Sequence, residues 1–95
     1  MAIQSWANSA TRRLFELGSS NLKGLDQSRA LRRLAELNVI SRLDQISPLK
    51  SVGLHRLKGD RQGQWAITVN GGWRICFRFR DGHAYDVEVV DYHKG

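Results

Sequence analysis

The sequence predicts an α+β fold in which two N-terminal helices pack on one face of a mainly antiparallel sheet of roughly four to five strands. Two observations carry this. Apolar residues recur with helical period in the first half of the chain, and large apolar residues recur at every other position in the second. A third observation bounds it: 95 residues, 41% of them hydrophobic, supply one core and leave no room for two, so residues 1–95 are read as a single domain.

Ile3 to Trp6 is a candidate edge strand. Asn8 is placed to N-cap a helix that turns Ala10, Leu14 and Leu17 inward and stops at Gly18. Residues 18 to 24 read as loop. Asp26 then caps a longer helix whose apolar residues Leu31, Ala35, Val39, Leu43 and Ile46 recur at spacings of four and three, forming one stripe that Pro48 ends. Its outer face carries Arg29, Arg32, Arg33, Glu36 and Arg42.

Beyond residue 64 the period changes to two. Trp65, Ile67 and Val69 alternate with polar residues, as do Trp73, Ile75, Phe77 and Phe79, and then Tyr85, Val87 and Val89. Three antiparallel strands with one apolar face follow. If odd positions face odd positions, each hairpin needs a loop of odd length, and Asn70, Gly71, Gly72 and Arg80, Asp81, Gly82 fit three-residue loops. The expected registers set Val69 against Trp73, Ile67 against Ile75, Phe77 against Tyr85 and Ile75 against Val87. On the other face Arg74 is expected against Thr68 and Glu88, Arg78 against Gln64 and Ala84, and Cys76 against Ala66 and Asp86. The helices cover the apolar face, leaving the Arg74 and Arg78 face open, with LHRLKGDRQG alongside as a further strand and loop.

With Cys76 as the sole cysteine, neither an internal disulfide nor a cysteine-rich zinc site can be built. No stretch approaches a membrane span, and the first residues lack the apolar run of a secretory signal, so a cytoplasmic protein without a membrane partner is expected. The same Arg- and Ser-bearing start weakly mimics a transit peptide, but a strand followed by a capped helix accounts for it.

The net charge of +6 favours a polyanionic partner. Between residues 50 and 80, Lys50, Arg56, Lys58, Arg61, Arg74, Arg78 and Arg80 stand against Asp60 alone, so this segment accounts for the whole surplus. A nucleic-acid surface and a merely solvated charged face both fit such a run.

Cleaving RNA without a metal or other cofactor requires a base for the 2′-hydroxyl proton, an acid for the leaving 5′-oxygen and cations for the phosphorane charge. His55, flanked by Arg56 and Lys58, suits the base, because nearby cations favour neutral imidazole. His93, following Asp91 and Tyr92, suits the acid, because a carboxylate favours the protonated ring. Arg74 and Lys58 suit phosphate clamps. A solvated histidine in a basic loop and a frayed terminal YHK describe the same residues equally well. His83 beside a turn glycine reads as solvated, Cys76 as a packing residue, and Trp65 and Trp73 as core.

The run LHRLKGDRQGQWAITVNGGWRICFRF, followed by DYH, resembles the HigB toxins of bacterial toxin–antitoxin systems, the plasmid maintenance killer branch of the RelE and ParE superfamily. The resemblance extends over nearly the whole chain, with only pattern-level similarity in the middle helix. It implies a microbial RNase-like RelE fold and a ribosome-dependent mRNA endonuclease that cuts codons in the A site of the 70S ribosome. It further implies that His55, Asp91, Tyr92 and His93 are catalytic with Lys58 and Arg74 in support, while Lys50, Arg56, Arg61 and Arg78 bind RNA or ribosome. Arg56 departs from the proline found at that place in familiar relatives. The implied partner is a HigA-like helix-turn-helix antitoxin, through which alone the toxin would meet operator DNA. Two alternatives stay open at this point: ParE-like poisoning of DNA gyrase, which needs no histidines, and a non-catalytic basic RNA-binding domain.

Overall fold

In the computed structural model, which describes residues 1–46 and 52–92, helices α1 (Ser9–Leu17) and α2 (Gln27–Val39) precede strands β1 (His55–Arg56), β2 (Trp65–Asn70), β3 (Trp73–Arg80) and β4 (His83–Asp91). Single 3₁₀ turns occupy Leu43–Gln45 and Gly59–Arg61. The strands form one antiparallel sheet in the order β1-β2-β3-β4. The α+β architecture is as expected. Ile3 and Trp6 add isolated parallel bridges to Ala84 and Val87 along the free edge of β4. Pro48, Lys50 and His93 lie outside the described residues.

Local chemistry sets the helix ends. The Asn8 side chain accepts from the Thr11 N–H, that of Asp26 from the Arg29 N–H, and Gly18 takes the left-handed conformation after α1. The inward faces differ from expectation. In α1 it is Thr11 and Leu14 that are buried, while Leu17 is 69% exposed and Ala10 is exposed. The stripe is turned because the Thr11 hydroxyl accepts the Val89 N–H at 2.9 Å, which lets a polar residue occupy the core side.

In α2 the buried stripe is Ala30, Leu34 and Leu37, not Leu31, Ala35 and Val39; Val39 is 81% exposed. Both stripes have helical spacing, and the one with two leucines fills more of the space over the sheet. The helix also ends at Val39 instead of running to Pro48. Ile40 turns extended and folds back into the core, and Leu43 and Ile46 reach it from a 3₁₀ turn. Nor are Arg29 and Arg33 on a free outer face: they donate to the carbonyls of Val69 and Thr68 at 3.2 Å each.

The sheet registers agree with expectation in the first hairpin and depart from it in the second. Ile67 pairs with Ile75, Thr68 with Arg74 and Ala66 with Cys76. Val69, however, falls in an irregularity between Thr68 and Asn70, so Asn70 and not Val69 faces Trp73, and the loop is Gly71-Gly72. In the second hairpin Arg80 pairs with His83 across Asp81-Gly82, both of positive φ as a tight two-residue turn demands. That even loop reverses parity. Tyr85 therefore meets Arg78, not Phe77, and Ala84 is buried on the core side opposite Phe79. A bulge at Asp86, itself at φ 54°, restores the alternation, so Val87 and Val89 face the core, and Ile75 pairs with Val89, not Val87. Cys76 consequently opposes Glu88 instead of Asp86, and Arg74 opposes Val90 instead of Glu88.

Leu14, Ile67, Ile75, Phe77 and Val87 share one buried cluster with the α2 leucines, and Leu31, Leu43 and Trp65 pack against it half-buried. Among the described residues no helix is long and apolar enough to cross a membrane.

Candidate active site

The face of the sheet turned away from the helices carries the candidate chemistry. Cross-strand partners share a face, so the chain of pairs His55–Ala66, Ala66–Cys76 and Cys76–Glu88 makes one row across all four strands. A second row sets Thr68, Arg74 and Val90 beside it. Neighbouring strands are about 4.8 Å apart, which puts the His55 backbone about 10 Å from that of Cys76.

His55 is exposed, and its Nδ1 lies 2.9 Å from the Gly53 carbonyl oxygen. A carbonyl only accepts, so Nδ1 donates in that bond, which fixes the orientation of the ring and leaves Nε2 as the nitrogen available to a substrate.

Tyr92 enters from the end of β4. Its N–H donates to the Gly72 carbonyl at 2.9 Å, and its hydroxyl meets Cys76 Sγ at 3.4 Å. Burial, reinforced by the hydrogen bond to Cys76, pushes the Tyr92 phenol up to about 12, so it remains a proton donor at neutral pH. The Cys76 thiol is also pushed up, chiefly by burial, and is a packing group as the sequence suggested. Arg74 donates to the carbonyls of Gly71 and Trp73 at 2.8 and 2.9 Å and lies 6.0 Å from the centre of the Tyr92 ring. The Gly71-Gly72 turn thus holds both the Arg74 guanidinium and the backbone of Tyr92.

Other expected site residues are placed less directly. Asp91 pairs with Trp73, a core residue, so alternation turns it toward the helical side of the strand end. Arg56 pairs with Trp65 and lies over its ring at 5.2 Å, on the opposite face from His55. Lys58 is exposed and lines an open recess of ≈ 460 Å³ with Arg56, Gly59 and Gln62. Arg78, on the open face, is 3.6 Å from Asp86 and 3.4 Å from the Gln62 carbonyl. Gly63, beside the Arg78 guanidinium, sits at φ +92°, a left-handed conformation that favours glycine. His83 is exposed at the hairpin, 3.5 Å from the Gln4 amide.

Sequence reasoning missed Glu88 as a member of the site. Its carboxylate pairs with Arg61 at 3.1 Å, with both side chains largely shielded from solvent. The available signal was its place on the open face; its partner comes from a loop whose position no local pattern specifies.

A family model described as the RelE-like toxin of type II toxin–antitoxin system HigB matches residues 4–93. The chain is 37% identical over 92 residues to Endoribonuclease HigB of Proteus vulgaris, covering 96% of this chain and 99% of that protein. With a family match across nearly its whole length and a relative 37% identical over 92 residues, the chain belongs to the RelE-like HigB toxins of type II toxin–antitoxin systems.

Proposed function

We propose that this HigB-like toxin is an endoribonuclease that cuts mRNA within codons in the ribosomal A site, in the bacterial cytoplasm, by acid–base chemistry without a metal. His55 Nε2 takes the 2′-hydroxyl proton, the 2′-oxygen attacks phosphorus, and the P–O5′ bond breaks. A 2′,3′-cyclic phosphate forms as His93 returns a proton to the leaving 5′-oxygen. Asp91 orients the terminal histidine, and Tyr92 donates a hydrogen bond to a phosphoryl oxygen. Arg74 and Lys58 offset the charge that develops there. Lys50 and Arg78 hold the flanking RNA or ribosomal phosphates; Arg56, turned to the other face over Trp65, and Arg61, already engaged by Glu88, are grouped with them by charge.

The observation that carries this reading is the placing of His55, Arg74 and Tyr92 on one open face, with the phenol protonated and His55 held through Nδ1 by the Gly53 carbonyl. Membership of a type II toxin family entails an antitoxin partner, and a HigA-like helix-turn-helix protein that also binds operator DNA is the form we propose.

Expression without an antitoxin tests it. Growth should arrest and mRNA 5′ ends should map within A-site codons, unaffected by chelators in vitro. His55→Ala or His93→Ala should keep the fold but slow cleavage by ~10² to 10⁴. Full toxicity of the double variant with mRNA still cut, or arrest with intact mRNA and broken DNA, would overturn the reading.

A further inference from the structure

The Arg61 side chain crosses the open face. It leaves the 3₁₀ turn that follows β1, yet its Nη1 donates to Gln64 Oε1 and to Glu88 Oε1, each at 3.1 Å, and Glu88 belongs to β4 at the far side of the sheet. Reaching it from the β1 side takes the side chain over β2 and β3. The row beneath is built for this, because its two middle members, Ala66 and Cys76, are small. Both are 0% exposed although they lie on the face that no helix covers. Arg61 from one side and Tyr92 from the other close over them.

β1 is short, with two residues and two register pairs to β2, and the backbone bonds on its flanks, Leu57 N–H to the Gln64 carbonyl and Thr68 N–H to the Val52 carbonyl, also reach only β2 and its approach. The segment it anchors carries His55 and Lys58, whereas Tyr92 is held by β3 and the Gly71-Gly72 turn. An ion pair from Arg61 to β4 ties these two halves of the site together.

We propose that Arg61 is a positioning residue, braced by Glu88 across the open face, that sets the separation between His55 and Tyr92 and does not itself neutralise the substrate. This rests on the endoribonuclease reading for its catalytic consequence, but the brace has a physical signature of its own. Glu88 competes with any phosphate for the guanidinium: its carboxylate and the Gln64 amide oxygen both hold Arg61 Nη1 at 3.1 Å. A direct phosphate clamp would be better without such a competitor.

The test uses the full chain and two readouts. The first is labelling of Cys76, the sole cysteine, by a thiol reagent under native conditions. Wild type should label slowly, and Arg61→Ala and Glu88→Ala should each label about tenfold faster or more, as the loss of a contacting partner allows. Arg61 lowers the thiol pKa and Glu88 raises it, so charge loss alone would slow labelling in Arg61→Ala and speed it in Glu88→Ala; acceleration in Arg61→Ala is therefore the result that reports uncovering. The second readout is cleavage of mRNA on programmed ribosomes. Arg61→Ala and Glu88→Ala should each lower kcat with KM nearly unchanged, and the double variant should be no slower than the worse single. Arg61→Lys and Glu88→Gln, which keep a donor and an acceptor, should recover part of both effects and guard against loss of fold. Unchanged labelling in all variants overturns the brace, as does a Glu88→Ala protein that cuts as fast as wild type while Arg61→Ala is inactive. A wild type that cuts no RNA overturns the endoribonuclease reading instead, and labelling still decides the brace.

Discussion

The hydroxyl of Thr11 accepts the backbone N–H of Val89 at 2.9 Å in a fully buried hydrogen bond that joins α1 to β4. Val89 lies two residues before Asp91 and three before Tyr92, so this bond helps seat the strand end that delivers the phenol. Thr11→Val keeps the shape and removes the acceptor, leaving a buried donor unpaired. The expected loss is ~1 to 3 kcal/mol of folding stability, read from denaturant unfolding. A neutral result would mean that the Val89 N–H finds another acceptor.

Tyr92 should leave a mark on the alkaline limb of stability. Its phenol titrates at about 12 in the folded protein against an ordinary 10.0. The folded state therefore holds the proton more tightly, and the stabilisation is fully present below pH 10. It is lost as the pH rises through the folded value near 12. In thermal melts across that window, Tyr92→Phe should fall less steeply than wild type. Parallel curves for the two proteins would contradict it.

The basic surface should be separable from the basic helix. Replacing Lys58 or Arg78 with Gln should weaken ribosome binding and reduce its salt dependence, each lost phosphate contact removing about 0.7 unit of slope on single-stranded RNA. Arg29→Gln and Arg33→Gln should instead cost folding stability, ~1 kcal/mol each, because their guanidinium groups satisfy β2 carbonyls. Equal effects on binding from both pairs would indicate attraction spread around the whole molecule.

Phe77 is completely buried between the sheet and the helices. Phe77→Ala should cost ~3 to 5 kcal/mol, measured by chemical denaturation, since a close-packed core relaxes little around the cavity. A loss below ~1 kcal/mol would show a core able to collapse onto the gap.

What the sequence by itself determined is what interactions within a few residues decide. Asn8 and Asp26 cap their helices because their carboxamide and carboxylate reach N–H groups three residues on. Gly18 ends α1 because the stop needs a left-handed residue. Alternation marked β2 and β3 and placed Ile67 opposite Ile75, Ala66 opposite Cys76 and Thr68 opposite Arg74. The same alternation set Arg74, Arg78 and Cys76 on the uncovered face, whereas His55 was named from its chemistry and the family resemblance and received its face only from the pairing of β1 with β2. Tertiary structure alone decided between alternatives that are locally equivalent. Two apolar stripes on α2 share helical spacing, and packing volume chose Leu34 and Leu37. Asp81-Gly82 served a two-residue turn as readily as a three-residue one. The resulting change of parity was absorbed by a bulge at Asp86, which keeps Val87 and Val89 in the core. The reach of Arg61 to Glu88 spans residues 27 positions apart. No local preference encodes it, because a salt bridge across a sheet exists only once the strands between its partners have been put side by side.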